Sequence, residues 1–291
     1  MGGIWMTAAR LGTLADDADT WSAGGNILDG LQYDRIVGPV DAASRLAWLY
    51  SQQPDQLDYR DFAPQPWEHV IRVLRDMGHP HAAAEIAMAK QVQMRKAGKI
   101  GKWGTWRELG GWSKAKSLVQ NGLHWMYGAL AGYGYRPLRT VGFMVMLWIA
   151  CSSAFYAGRD GGYFGPTSAA IEINPKFAEC GAPGDLIAPR TRDPKLKVQP
   201  KPMPKAHWTA AACPLPPEYT SFQPAMYSLD LILPVVNLQQ DGDWAPIVSN
   251  ARGEPLPWGQ LLRALVWFEI LFGWVATLVV AAVLGNLVKK D

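Results

Sequence analysis

The chain has 291 residues, of which 49% are hydrophobic, and 28 Lys and Arg stand against 25 Asp and Glu. That length allows two domains with real cores, and a net charge of +3 gives no ground for a nucleic-acid binder. Three cysteines form no CxxC pair and no zinc pattern, whereas 14 Trp invite an interfacial reading, since Trp is enriched at membrane–water boundaries.

In chain order, the start "MGGIWMTAARLGTLADDADT" has no basic n-region followed by an apolar h-region, so no cleavable signal peptide is expected. "DAASRLAWLYSQQ" places apolar residues at helical spacing after an acidic start. "PQPWEHVIRVLRDMG" follows, with Pro66 near the first helical position and Gly78 at a C′ position. "HPHAAAEIAMAKQVQMRKAG" continues as an Ala-rich helix closed by Gly98. The short turn at 78–80 makes the last two an αα-hairpin, with the spacing of one tetratricopeptide-type unit. One unit cannot form a solenoid, so residues 37–100 read as a small cytoplasmic helical domain.

Residues 101–137 form a basic, Trp-rich segment ahead of an apolar run. Lys99, Lys102, Trp103, Trp106, Arg107, Trp112, Lys114, Lys116, Arg136 and Arg139 suit contact with anionic headgroups. Nucleic-acid stacking is the competing reading, disfavoured by the neighbouring membrane run. Two stretches have transmembrane character: residues 138–158, uncharged from Val141 to Ala157, and the apolar part of residues 260–288, whose one charge is Glu269. Lys114, Lys116, Arg136 and Arg139 before the first and Lys289 and Lys290 after the second put both termini in the cytoplasm by the positive-inside rule. Residues 159–220 then form a Pro-rich external loop, extended or unfolded around "PRTRDPKLKVQPKPMPKAHW". Long loops translocate largely regardless of their charge. Cys180 and Cys213 fall in this loop, where an oxidising compartment permits a disulfide and a reducing one leaves two thiols. Cys151 reads as packing within the first span.

"SLDLILPVVNL" lies in a segment, 221–243, that is too short to span. Pro234 ends any helix near Leu233. Two readings stay open. One is a helix lying on the outer leaflet. The other is a re-entrant pore helix in a span–helix–span layout, with Asp230 and Asn237 along a path and Asp241 and Asp243 at an acidic mouth. The layout fits such channels, but no Gly-rich carbonyl filter is present. In the second span Glu269, Gly273 and Thr277 recur at helical spacing and define one small, polar face for helix contact or a pore lining. Glu269 alternatively pairs with Arg263 near the interface. No nucleotide loop, nucleophile elbow or metal-ligand spacing occurs, and "HPH" at 79–81 reads as an exposed turn. No cofactor is expected.

The pieces "LGTLADDADTW", "LDGLQYDRI", "SRLAWL", "PQPWEHVIRVLRDMGH", "GYGYRPLRT", "YSLDLILPVVNLQQ" and "EILFGWVATLVVAAVLGNLVKKD" touch most of the chain outside the Pro/Lys loop. Through them it resembles the C-terminal membrane region of bacterial proteins that carry pentapeptide-repeat or β-helical N-terminal domains. The resemblance implies that residues 1–36 are the capping end of a β-helix and that the protein sits in the bacterial inner membrane. Members are uncharacterised, some bearing an oxidoreductase label, so it carries over no catalytic residue. The sequence thus describes a mostly α integral membrane protein with two spans, a short interfacial or re-entrant helix and a tetratricopeptide-like hairpin. Its expected partners are lipid and either further copies of itself or another protein. The expected role is a non-enzymatic scaffold or sensor, with an oligomeric channel-like protein as the alternative. A membrane-anchored oxidoreductase has no motif in its favour.

Overall fold

A computed structural model describes residues 3–17, 19–21, 24–58, 62–100, 110–187 and 202–288, with side chains through Gly285. Two compact units divide the chain, Met1–Pro137 and Leu138–Asp291.

The first unit begins with two parallel strands, β1 (Arg10–Ala15) and β2 (Gln32–Val37). Partners such as Arg10↔Gln32 and Leu14↔Ile36, extended by the bridge Trp5↔Ile27, all lie 22 residues apart (32 − 10). The left-handed residues Ala8 and Gly30 share that offset (30 − 8), and a Cβ on Gly30 would press on the Ala8 backbone. The segment is therefore two stacked coils with equivalent turns, each placing Leu14 or Ile36 inward. A parallel pair needs a long crossover, and the coil supplies it.

Five described helices follow: α1 (Ala42–Tyr50), α2 (Pro54–Leu57), α3 (Gln65–Asp76), α4 (Pro80–Lys96) and α5 (Gly111–Ala131). Asp41 caps α1 by accepting from Ser44 N–H. Helices α3 and α4 turn through Gly78, at φ +84°, a conformation that favours glycine. One face of α3 closes the edge of the second coil. Gln65 accepts from Gly30 N–H and donates to the Leu31 carbonyl, and Ile36 N–H meets Met77 Sδ at 3.4 Å. His69 Nε2 lies 2.8 Å from the Tyr33 carbonyl. Backbone groups that would otherwise be orphaned at a strand edge are thus capped by side chains. The tetratricopeptide-like reading extends no further than the hairpin itself, because α3 is occupied by the coil. Among the described residues, β1 pairs with no strand but β2.

Trp21, Trp48, Trp67, Leu49, Val70, Leu74 and Ile86 fill the core. A buried ion pair crosses it: Arg45 Nη1 and Nη2 reach Asp16 at 2.6 and 2.7 Å, Arg45 Nε donates to the Pro39 carbonyl, and Trp21 Nε1 donates to Asp16. Every polar atom of the pair that faces the core is used, as a buried charge requires.

The second unit is framed by two long helices, α6 (Pro137–Asp160) and, at the end of the chain, α10 (Pro257–Val288). Both are long and apolar enough to cross a membrane, and only 22% of each apolar window is buried, whereas a soluble core helix would be mostly buried. Between them lie β3 (Phe164–Pro166), α7 (Ala169–Glu172), β4 (Cys180–Gly181), β5 (Leu186–Ile187), β6 (Met203–Pro204), β7 (Ala206–His207), α8 (Pro224–Ile232), α9 (Gln240–Asp243) and β8 (Trp244–Pro246). Strands β3 and β8 pair antiparallel, β4 and β7 parallel, β5 and β6 antiparallel. The tract 189–208, expected to be extended or unfolded, is ordered at its described end, where β6 and β7 form and Trp208 is buried. A disulfide joins Cys180 to Cys213 with Cα atoms 6.0 Å apart, and Phe177, Trp208 and Phe222 are buried. Proline content misled here because two-residue strands and a cross-link, not apolar runs, hold this region. The middle of the Pro/Lys tract, 188–201, lies outside the described residues.

Two measurements check the first unit. Asp16→Ala should destabilise it by about 3–5 kcal/mol, because Arg45 would stay buried without its partner. Denaturant midpoints of the full chain in detergent, followed by cleavage within residues 1–137, read this directly. Burial, and secondarily the neighbouring Arg72, hold His69 below its ordinary value of 6.5, against the Tyr33 backbone contact and Asp34. The unfolded chain therefore takes a proton near pH 6.5 that the folded chain refuses, so stability is full above that pH and falls as pH drops below it. The fall should be shallower in His69→Gln, measured at pH 7.5, 6.5 and 5.5.

Candidate functional site

The residues singled out in the sequence converge on α8 and the segment after it. Helix α8 starts at Pro224, whose fixed φ suits a first turn, and ends where Pro234 cannot continue it. Its apolar side packs on an aromatic cluster. Phe164 stacks on Phe222 at 4.3 Å, and Tyr227 lies edge-on to Phe155 and Phe164 at 5.2 and 5.4 Å.

Side-chain contacts give the direction of each helix. Gly158 of α6 faces Leu262 of α10, and Cys151, seven residues earlier, meets Glu269, seven residues later. The two long helices therefore run antiparallel. Ser228 of α8 donates to Glu269 Oε1 at 2.5 Å. Four residues on along both helices, Ile232 lies against Gly273, where any Cβ would collide with the Ile232 carbonyl. Helices α8 and α10 therefore run parallel, with a glycine allowing the close approach. From α6, Trp148 Nε1 donates to the Ala225 carbonyl at 2.9 Å. Helix α8 is thus fastened to both long helices. At 1.5 Å per residue, Gly273 is about 24 Å along α10 from Pro257. The midpoint of the apolar stretch Pro257–Gly285 is Leu271, so α8 ends level with the middle of α10.

The chain then returns without regular structure to α9 and β8. Asp230, buried at 7% exposure, holds the return: its carboxylate accepts from the N–H groups of Leu238 (2.6 Å), Gln240 (2.8 Å) and Asp241 (3.1 Å). Asn237 accepts from Gln239 N–H. Asp243 accepts from Thr220 through both N–H (3.0 Å) and hydroxyl (2.8 Å). Partial burial, and then the nearby Asp230 carboxylate, hold Asp241 above the usual carboxylate range. A cavity of about 220 Å³ lies between the return segment and α10, lined by Pro234, Val236, Asn237, Asp241, Ile270 and Trp274.

These positions revise several expectations. The oxygens of Asp230, expected along a path, and of Asp243, expected at an acidic mouth, tie backbone and hydroxyl groups together, and Asp230 also lines the cavity against α10. Glu269, with no exposed surface, pairs with Ser228 and not with Arg263, whose Nη2 donates to the Pro246 carbonyl. The face of Glu269 and Gly273 continues to Ala276, which is fully buried. Thr277 sits beside that stripe, half-buried, because 3.6 residues per turn carries a strict four-residue repeat off the face. Sequence reasoning missed Ser228 and Trp148. A hydroxyl inside an apolar nine-residue helix opposite an apolar helix carrying one acid was the available signal for Ser228. Trp148 gave none.

Of the basic and aromatic set, Lys102, Trp103, Trp106 and Arg107 lie outside the described residues, and Lys99 follows α4. Trp112, Lys114 and Lys116 stand on α5. Its apolar residues Trp112, Val119, Leu123 and Met126 recur on one exposed stripe. Arg136 lies 3.7 Å from Glu85, and Arg139 is in the first turn of α6. No group of three or more metal-ligating side chains occurs among the described residues. No family model, curated protein or solved structure matches the chain.

Asp230→Ala should cost on the order of 3 kcal/mol or more, since three N–H groups lose a charged acceptor. The checkable outcome is faster backbone hydrogen exchange at 238–241 with α10 unchanged; equal exchange would show that the carboxylate does not hold the return.

Proposed function

We propose that the protein is an oligomeric, channel-like component of a bacterial inner membrane, with residues 1–137 and the C-terminus on the cytoplasmic side. One observation carries this reading. The return segment after α8 is non-helical and exposed, yet level with the midpoint of α10. In hydrocarbon, irregular backbone is tolerated only where protein covers it or where it lines a wet cavity. A lone copy in lipid would leave Val235, at 85% exposure, and its peptide groups facing acyl chains. Neighbouring copies around a water-filled axis remove that cost. Helix, turn and return entering from the side opposite the termini, between two antiparallel spans, is also the plan of two-span channels. The Cys180–Cys213 bond supports an oxidising compartment for the loop between the spans. The exposed stripe of α5, just before the first span, suits the cytoplasmic headgroup layer.

The scaffold or sensor reading draws on a different observation, the unpaired β1 edge, which can accept a strand from a partner. It concerns the first unit alone and is compatible with the channel-like reading.

Purified full-length protein in detergent should run as a closed oligomer by mass measurement, and planar bilayers holding it should pass discrete currents. A monomer at membrane-like concentrations, or an intact oligomer in silent bilayers, contradicts the reading.

A further inference from the structure

Helix α5 has its faces reversed for a soluble protein. An amphipathic helix normally buries its large apolar side chains and exposes its polar ones. On α5 the small and polar residues face the unit. Ser117 and Ala131 are buried, His124 Nε2 lies 3.3 Å from Gln91 Oε1 of α4, and Gly128 faces the Tyr133 ring. The large apolar residues face away. Trp112 is 88% exposed, and Val119, Leu123 and Trp125 are each more than half exposed. At 3.6 residues per turn, Val119, Leu123 and Met126 fall within about 40° of Trp112, so the stripe runs most of the length of the helix. A contiguous exposed patch of this kind marks a binding surface.

Three features name its occupant. The first is charge. No Asp or Glu occurs from Gly110 to Arg159, whereas Lys114, Lys116, Arg136 and Arg139 do, which suits an anionic surface. A second copy docked on the same face would bring the same lysines to a helix without an acid. The second is side-chain type. Trp112 and Trp125 have the amphipathic rings favoured at a membrane–water boundary, and Lys116, within the stripe, can lay its stem on apolar surface while its ammonium reaches phosphate. The third is position. Arg136 N–H donates to the Ala131 carbonyl at 3.0 Å, so α5 ends beside the residue that precedes α6. The uncharged stretch of α6 starts at Val141, only about 6 Å along the helix from Pro137. The headgroup layer is of similar depth, roughly 5–8 Å on each side of the hydrocarbon.

We propose that α5 lies in the headgroup layer and binds anionic lipid there, with its apolar stripe toward the acyl chains and Lys116 on lipid phosphate. The inference rests on the two-span reading of the protein, and it needs neither an oligomer nor a current.

The test uses full-length protein in nanodiscs of phosphatidylcholine, with and without phosphatidylglycerol. A spin label is placed on Val119→Cys, or on Leu123→Cys if the first variant fails to fold. Cys151 is buried and Cys180 and Cys213 are bonded, so the label goes to the added thiol. Collision with oxygen reports lipid, and collision with a water-soluble nickel complex reports water. In phosphatidylglycerol discs the Val119 label should favour oxygen and a label on the exposed Gln120→Cys should favour nickel. Lys116→Glu should lower the docked-to-free ratio of α5 about ten-fold in those discs and change it little in phosphatidylcholine alone. A label on Met146→Cys, at an exposed position of α6, separates this inference from the reading beneath it. If that label lies in lipid while the Val119 label meets nickel in both discs, the lipid site is overturned and the two spans stand. If it too meets nickel, the spans fall and the site falls with them. Equal docking with and without phosphatidylglycerol overturns the anionic preference. Shielding of Val119 only in discs holding more than one copy gives the face to a second copy and overturns the lipid site.

Discussion

The carboxylate of Asp230 is the contact on which the second unit depends. It gathers three backbone N–H groups, that of Leu238 in the irregular return and those of Gln240 and Asp241 at the start of α9. Charge-assisted bonds of this kind are the strong ones. They let the chain turn at Pro234 and run back beside α8 without unravelling into α9 and β8. The aromatic cluster of Phe155, Phe164, Phe222 and Tyr227 then anchors the upper part of α8, and Ser228 with Gly273 sets its contact with α10. Without the Asp230 bonds, the turn would have to find donors and acceptors elsewhere, and a mostly apolar surround has few.

The first unit meets the same constraint by another route. Of its two sheet edges, the one along β1 stays unpaired among the described residues, and helix α3 closes the one along β2 with Gln65, His69 and Met77. Those residues recur along one side of α3, so a helix that buries Trp67, Val70 and Leu74 also supplies side chains to a strand. In both units irregular or unpaired backbone is satisfied by side chains, 34 to 41 residues away in the first unit and 8 to 11 in the second. The buried Asp16–Arg45 pair extends the theme to charge: it is tolerated because Pro39 and Trp21 complete its hydrogen bonds.

The contact of Ser228 with Glu269 gives the acid in α10 a role. A carboxyl group in an apolar helix has to meet a polar partner, and here the partner sits on the short helix between the long ones. The acid therefore reports where α8 docks, as Gly273 reports how closely. Such positions explain why a short apolar run with one proline and one aspartate sits ahead of the last helix: it is built to be held, by its own Asp230 and by Glu269 across from it.

Much of the plan was legible from the chain alone. Uninterrupted apolar length marked α6 and α10, Pro66 and Gly78 bounded α3, and Pro234 marked the end of α8. Each is a local signal, carried by propensity or by the length needed to cross hydrocarbon. The 22-residue offset of the two coils was present in the sequence but faint, since Ala8 and Gly30 share a backbone conformation and not a residue type. The partners of Asp230, Asp243 and Glu269 were not legible. The same acids suit a pore lining, a mouth or a buried tie, and periodicity cannot tell these apart. Only the tertiary structure decided, because these partners lie from 8 to 41 residues away and are fixed by how the chain folds back on itself. It tied Asp230 and Asp243 to backbone and hydroxyl groups and Glu269 to Ser228.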